Sequence, residues 1–163
     1  MVRRVLLENL DSLYSTACRL TGRADLAEDL VQDTARKALK ASPALKGERN
    51  VRGWLFTILV NTARDHLRRG SHPEGPEPDR RVDPQGLSLA AVQDVRRALA
   101  ELSTEQRAVV VLVDIEEFTI AEAARMLNLP PGTVASRLAR GREYLRGLLQ
   151  AYRVESARRG GRP

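Results

Sequence analysis

The chain has 163 residues, 42% hydrophobic but only 4% aromatic, and carries a formal net charge of +6 with an isoelectric point of about 10.2. That length suits one domain or two small ones with cores of Leu, Val, Ile and Ala, and the excess of base favours a polyanionic partner without separating nucleic acid from an anionic membrane. A single cysteine, Cys18, excludes an internal disulfide and fits a reducing compartment. The N-terminus, MVRRVLLENLDSLY, lacks the apolar core and cleavage site of a signal peptide, and no run approaches the about 18 apolar residues that cross a bilayer. A cytoplasmic protein without membrane insertion is expected.

Taken in order, the chain opens with a helix predicted over Leu6 to Leu20, with Leu6, Leu10, Leu13, Ala17 and Leu20 inward. Thr21-Gly22-Arg23-Ala24 breaks it, and Asp25-x-x-Glu28 resembles the capping box of a second helix. There Ala27, Leu30, Val31, Thr34 and Ala38 point inward, leaving Asp25, Glu28, Asp29, Gln32, Asp33 and Arg36 exposed. Four carboxylates in nine residues with no base among them are unusual on so basic a chain. Acids near a helix start can simply complement its dipole, but Asp33 lies more than two turns in, and a docking surface for a basic partner is the alternative.

After the loop SPALKGERN, a third helix is predicted from Val51 to about Arg69. Its wide apolar arc, including Trp54, implies burial, and its polar remainder is the stripe Thr57, Asn61, Arg64, Asp65 and Arg68. From Lys46 to Arg69 there are six basic groups against two acidic. A stripe bearing Asn and Arg beside a basic loop suits unpaired bases in single-stranded or distorted nucleic acid; a solvated helix face is the plainer reading.

Residues 70–88 hold four of the eight prolines and three of the eleven glycines, the composition of a flexible linker. With no strand-like alternation on either side, the expected fold is all-α: two small helical domains, 1–69 and 89–150, joined by a Pro/Gly-rich tether at 70–88 and followed by a basic tail at 151–163. Both halves are cationic, with 13 basic and 8 acidic groups in 1–69 and 12 and 9 in 89–163, so both can meet one polyanion. In the second half the positive charge is concentrated in 133–163, with 8 basic groups against 2 acidic.

The second half begins with an amphipathic helix over Leu89 to Leu102; Ser103 then caps a helix whose Val109 to Val113 and Ile115 form the core. Ile120, Ala123, Ala124 and Leu127 place four apolar side chains on one face of a short helix, which Asn128-Leu129-Pro130-Pro131-Gly132 stops. Thr133 is the predicted N-cap of a last helix carrying Val134, Leu138, Gly141, Leu145 and Leu148 at helical spacing. This is the helix-turn-helix layout, whose second helix can enter a major groove. With the apolar stripe inward, Ala135, Ser136, Ala139, Arg140 and Glu143 face outward and Arg137 and Arg142 lie on the flanks. Small residues let the helix approach base edges, and Arg can grip guanine or phosphate. An ordinary amphipathic helix with a solvated basic face is the alternative.

LAEDLVQDTARKALK, then VRGWLFTILVNTARDHLRR, a Pro-rich gap, and LAELSTEQRAVVVLVDIEEFTIAEAARMLNLPPGTVASRLARGREYLRGLL together resemble the extracytoplasmic-function group of bacterial RNA polymerase sigma factors. The resemblance covers nearly everything except the linker and the tail from about Arg153, and rests on the order and spacing of motifs that are each only moderately specific. It implies a two-domain protein, region 2-like then region 4-like, that confers promoter specificity on core polymerase without catalysing covalent chemistry. The acidic helix, with Asp29, Leu30, Gln32, Asp33 and Arg36, then looks like the surface that docks on the clamp helices of the largest polymerase subunit. The loop up to Asn50, with Lys46 and Arg49, and the stripe Asn61, Arg64 and Arg68 look like the elements that capture the melted −10 strand. Thr133, Ala135, Ser136, Arg137, Ala139 and Arg140 match the part of the family motif that reads the −35 duplex. Family likeness also suggests a cognate anti-sigma factor that clamps the two domains.

Two positions depart from the family pattern. Ala135 stands where members often carry Lys or Arg, and Val60 where many carry Arg or His before the Asn of the third helix. A polymerase-independent helix-turn-helix regulator is the alternative function; it explains 119–150 and leaves the acidic helix and the Asn61 stripe without a role. An enzyme has little support, since Cys18, His66 and His72 lack metal-ligand spacing and no nucleophile motif or phosphate-cradling loop is present, so neither cofactor nor metal is expected.

Overall fold

The structure, a computed structural model, describes residues 1–44, 50–69 and 89–160. The tether at 70–88 and the loop residues Lys46 and Arg49 therefore lie outside the described residues. Every regular element among the described residues is helical: α1 (Val2–Glu8), α2 (Leu10–Thr21), α3 (Ala24–Ala41) and α4 (Val51–Arg68) in the first half, and α5 (Leu89–Glu101), α6 (Thr104–Val110), α7 (Ile120–Leu127) and α8 (Pro131–Gly160) in the second.

The expected opening helix is two. Asn9 turns its side-chain amide onto the Val5 carbonyl at 2.7 Å and its backbone N–H reaches both Val5 and Leu6, so a short polar side chain competes for the carbonyl that a continuous helix would use. Gly22, at φ 71°, closes α2 in the left-handed region, its N–H bonding the Cys18 carbonyl at 2.7 Å. The capping box expected at the start of α3 does not form. Arg23 is the N-cap, and its guanidinium, a donor only, can accept nothing from the first-turn N–H groups; the Asp25 carboxylate, inside the helix, takes that guanidinium at 2.5 and 3.0 Å. At α4 the Asn50 side-chain oxygen accepts the Gly53 N–H at 2.8 Å. That cap lies so low over the first turn that a Cβ at position 53 would stand 2.7 Å from Asn50 Nδ2, which explains the glycine.

The first half buries Leu13 and Ala17 of α2, Ala27 and Leu30 of α3, and Leu55, Phe56, Leu59 and Val60 of α4. In the second half Ser103 caps α6, accepting from the Gln106 N–H at 3.2 Å, and after Val110 the helix widens to a π turn over Val111–Ile115. Val109, Val110, Val111 and Leu112 are buried, as their spacing requires, and Val113 and Ile115 pack partly buried against them. Thr119 and Glu122 form a reciprocal capping box on α7. The helix-turn-helix is tighter than expected: α8 starts at Pro131, not Thr133, because proline suits the first helical position and the Pro130 carbonyl accepts from both Thr133 and Val134 at 3.0 and 3.2 Å. Thr133 is thus inside the helix and not its cap. The residue that turns the chain is Asn128, left-handed at φ 53°, while Gly132 sits in the first turn of α8.

Gly141 allows α8 to lie close on α6, since a Cβ there would come within 2.8 Å of the Val110 side chain, itself held in the core. Gly141→Ala should therefore destabilise the protein by about 1–3 kcal/mol through overpacking. Thermal unfolding followed by circular dichroism checks this; an unchanged or raised midpoint would show that α6 yields without cost.

The sequence carried no signal that the two halves touch, yet they share a continuous core. Phe118, after α6, meets Phe56 of α4 edge to face with ring centres 5.3 Å apart. Arg107 of α6, only 5% exposed, donates to Leu99, Ala100 and Leu102 at the end of α5 and across to Leu20 at the end of α2.

Candidate nucleic-acid interface

The outward face of α8 is open. Ala135, Ser136, Ala139 and Arg140 are exposed, Thr133 and Arg137 are half-buried at its edges, and Val134 and Leu138 are buried beneath it. This is the face the helical spacing selects. Ser136 spends its hydroxyl hydrogen on the Thr133 carbonyl at 3.1 Å, leaving the oxygen lone pairs outward. Ala135 has a methyl group where a cation could have stood, so the centre of the face is apolar and its charge lies toward Arg137 and Arg140. Arg140 lines a shallow cleft with Glu101, Gln106, Glu143 and Tyr144. Arg142, on the flank, is engaged by Asp114 at 2.9 Å in an exposed pair, which water and salt screen so that it adds little to stability.

The stripe on α4 is presented differently. Asn61 and Arg68 are exposed, but Arg64 is half-buried and donates to the Leu127 carbonyl at the end of α7, 3.2 Å away. That carbonyl is one of those a helix leaves unpaired at its C-terminus, so the guanidinium meets both an acceptor and the negative end of a dipole. Asn50, exposed at the start of α4, places its amide nitrogen 3.4 Å from Glu122 of α7. Between α4 and α7 lies a cleft of about 400 Å³ lined by Asn50, Gly53, Trp54, Thr57, Glu122, Arg125 and Met126. Trp54, expected in the core, is half-buried: it packs against the core and also lines this cleft. Val60 is fully buried, so its departure from the family pattern removes nothing from the exposed stripe.

The acidic face of α3 lies on the surface as its spacing requires, with Asp25, Glu28, Asp29, Gln32 and Arg36 exposed. Asp33 is half-buried and held by Lys37 at 2.9 Å and by Arg36; hydrogen bonds from these two, Lys37 foremost, keep its carboxyl below the usual carboxylate range. Leu30 is a correction to the expected docking residues. It is fully buried between α3 and its neighbours, the inward position of the DLVQD motif, and can orient that surface but not touch a partner.

Sequence reasoning missed the residues that join the halves. Arg107 stands at i, i+3 and i+4 from Val110 and Val111, a spacing that marks an inward-facing arginine and could have revealed it. For Glu116, Arg52, Ser12 and Thr16 no local pattern exists, because their partners come from 64 to 104 residues away. Among the described residues no helix is long and apolar enough to cross a membrane, and no group of three or more His, Cys, Asp or Glu could hold a metal ion.

Two family models match the chain: Sigma-70 region 2 over residues 5–72, and Sigma-70, region 4 over residues 92–145. The chain is 42% identical over 136 residues to the ECF RNA polymerase sigma factor SigM of Mycobacterium tuberculosis, a match covering 80% of this chain and 68% of that protein. It is 33% identical to the ECF RNA polymerase sigma factor EcfG of Rhodopseudomonas palustris over 91% of this chain and 84% of the relative. Among solved structures it is similar to the sigma factor RpoE of Bartonella quintana, crystallised in complex with the anti-sigma factor NepR, with a TM-score of 0.78 and 34% identity over 91% of this chain and 96% of that one.

Proposed function

The chain belongs to the extracytoplasmic-function group of RNA polymerase sigma factors, initiation factors that give core polymerase its promoter specificity, and from that premise we propose how its surfaces divide the work. The half at 1–69 holds core polymerase through the acidic face of α3, with Asp29, Gln32, Asp33 and Arg36 meeting the clamp helices and Leu30 supporting them from beneath. The same half takes the melted −10 strand on Asn50, Asn61, Arg64 and Arg68, and Lys46 and Arg49, outside the described residues, contribute to the same task. The half at 89–150 sets α8 into the −35 major groove through Thr133, Ala135, Ser136, Arg137, Ala139 and Arg140, and α8 runs on to Gly160 as a helical form of the basic tail. It acts in the cytoplasm, without a cofactor and without catalysing covalent chemistry. The similarity to RpoE crystallised with NepR supports an anti-sigma factor as a further partner.

The observation that carries this reading is that one chain bears two unlike surfaces: an open, small-residue helix face suited to duplex DNA, and an Asn- and Arg-bearing stripe suited to unpaired bases. The polymerase-independent regulator needs only the first. Run-off transcription with core polymerase and a genomic fragment library separates the two: discrete transcripts that require both core and this chain are expected. Tight, sequence-specific duplex binding by the chain alone, with no core-dependent transcript, would contradict the proposal.

A further inference from the structure

Glu116 is a carboxylate buried away from its own half. Its side chain is 6% exposed, and the groups that receive it come from the first half. Its Oε2 accepts from the Ser12 hydroxyl at 2.8 Å and from Arg52 Nη2 at 3.0 Å. Its Oε1 accepts from the Thr16 hydroxyl at 2.5 Å and lies 3.6 Å from Arg19 Nη1. On the other side of Glu117, Phe118 is 5% exposed against Phe56, and the Arg52 guanidinium lies over both rings, 4.7 Å from one centre and 4.5 Å from the other. Glu117 itself takes φ 60°, a left-handed conformation disfavoured for a non-glycine residue, so the backbone is bent where Glu116 and Phe118 enter the first half.

We propose that Glu116-Glu117-Phe118 is a latch that closes this sigma factor on itself, holding α7 against the Thr57 and Arg64 positions of the α4 stripe, with Arg64 on the Leu127 carbonyl, until polymerase or promoter opens it. The proposal rests on reading the α4 stripe as the −10 surface. A buried ion pair adds little net stability over a well-packed apolar contact, yet losing one partner is costly. An ion pair also solvates readily when separated, whereas an apolar seam of the same size would leave sticky surface on both halves. A carboxylate in a socket of two hydroxyls and two guanidinium groups therefore gives a closed form of fixed register that can open without aggregating. The bent backbone at Glu117 favours release, and the two touching rings with Arg52 over both favour closure. An equilibrium of this kind lowers apparent affinity for a partner of the open form by the fraction of molecules that are open.

Glu116→Arg places a third cation beside Arg19 and Arg52, which forbids the closed form and costs nothing in the open one. Full-length wild type and variant are compared by small-angle scattering and by titration into core polymerase with run-off transcription as readout. The variant is expected to have a larger radius of gyration with the same helical circular dichroism, and to reach half-maximal transcription at about tenfold lower concentration. If the variant loses helicity, Glu116→Gln, which keeps the shape and removes the charge, is measured in its place, with a smaller shift in the same direction. An unchanged radius, or an unchanged half-saturation at a larger radius, overturns the latch. If neither protein supports core-dependent transcription, the sigma-factor reading fails, and the scattering comparison still decides whether Glu116 holds the halves together.

Discussion

Arg107→Ala should melt about 10 °C below the parent protein, the largest loss of stability expected from any single substitution in this chain, since a few kcal/mol moves the midpoint of a chain this size by several degrees each. The guanidinium is 5% exposed and among the described residues pairs with no carboxylate; its charge is met by the ends of two helices. Nε donates to Leu99 at 2.7 Å and Nη2 to Ala100 at 2.9 Å and Leu102 at 3.1 Å, satisfying the last carbonyls of α5, while Nη1 donates to Leu20 at 2.9 Å near the end of α2. Both helix C-termini present partial negative charge to the same cation, which offsets the burial that pulls its pKa below the usual arginine value. Alanine leaves four carbonyls and a cavity, at a cost of about 3–5 kcal/mol out of a whole-protein stability of about 5–15 kcal/mol. Lysine should recover only a minor part, because a single ammonium cannot reach acceptors spread around a planar fork. Thermal melts by circular dichroism read this directly, and a midpoint within about 2 °C of the parent would show that the network contributes little.

Asp29→Arg should weaken binding to core polymerase by about 30- to 100-fold, corresponding to the few kcal/mol of a charge reversed at a docking surface. Asp33 is the less clean probe, because its carboxylate already serves Arg36 and Lys37 within α3. Asp29 is exposed, and among the described residues no base is paired with it, so reversing it changes the surface and spares the fold. The same full-length variant should bind non-specific duplex DNA at least as well as the parent, since it has gained positive charge. Fluorescence titration against labelled core, with a duplex-DNA control, checks both; equal loss in both would mean that α3 does not divide its work from α8.

What the sequence made legible was whatever repeats at helical spacing. The faces of α3, α4 and α8 follow from apolar positions three and four apart, and the exposed residues Asp29, Asn61, Ala135 and Ser136 lie where that spacing puts them. Periodicity says that a face is covered but not by what. The spacing of α4 puts Phe56 in its wide apolar arc, yet nothing in that spacing distinguishes covering by α3 from the edge contact that Phe118 brings from the other half. The boundaries that went astray were decided by single polar atoms. Asn9 splits the opening helix with one side-chain amide, Asp25 lies inside α3 with its carboxylate on Arg23, and Pro131 starts α8 two residues before Thr133. Arg64 lay where its spacing put it, but its bond to the Leu127 carbonyl depends on how the halves meet.

That the chain directs polymerase to promoters through two separate DNA surfaces is tested most directly by selecting randomised double-stranded DNA for open-complex formation with core polymerase reconstituted with this protein. The expected result is two enriched blocks at a fixed spacing, with Ser136→Ala altering the upstream block alone and Asn61→Ala the downstream block alone. Enrichment of a single block, the same with and without core, would contradict it.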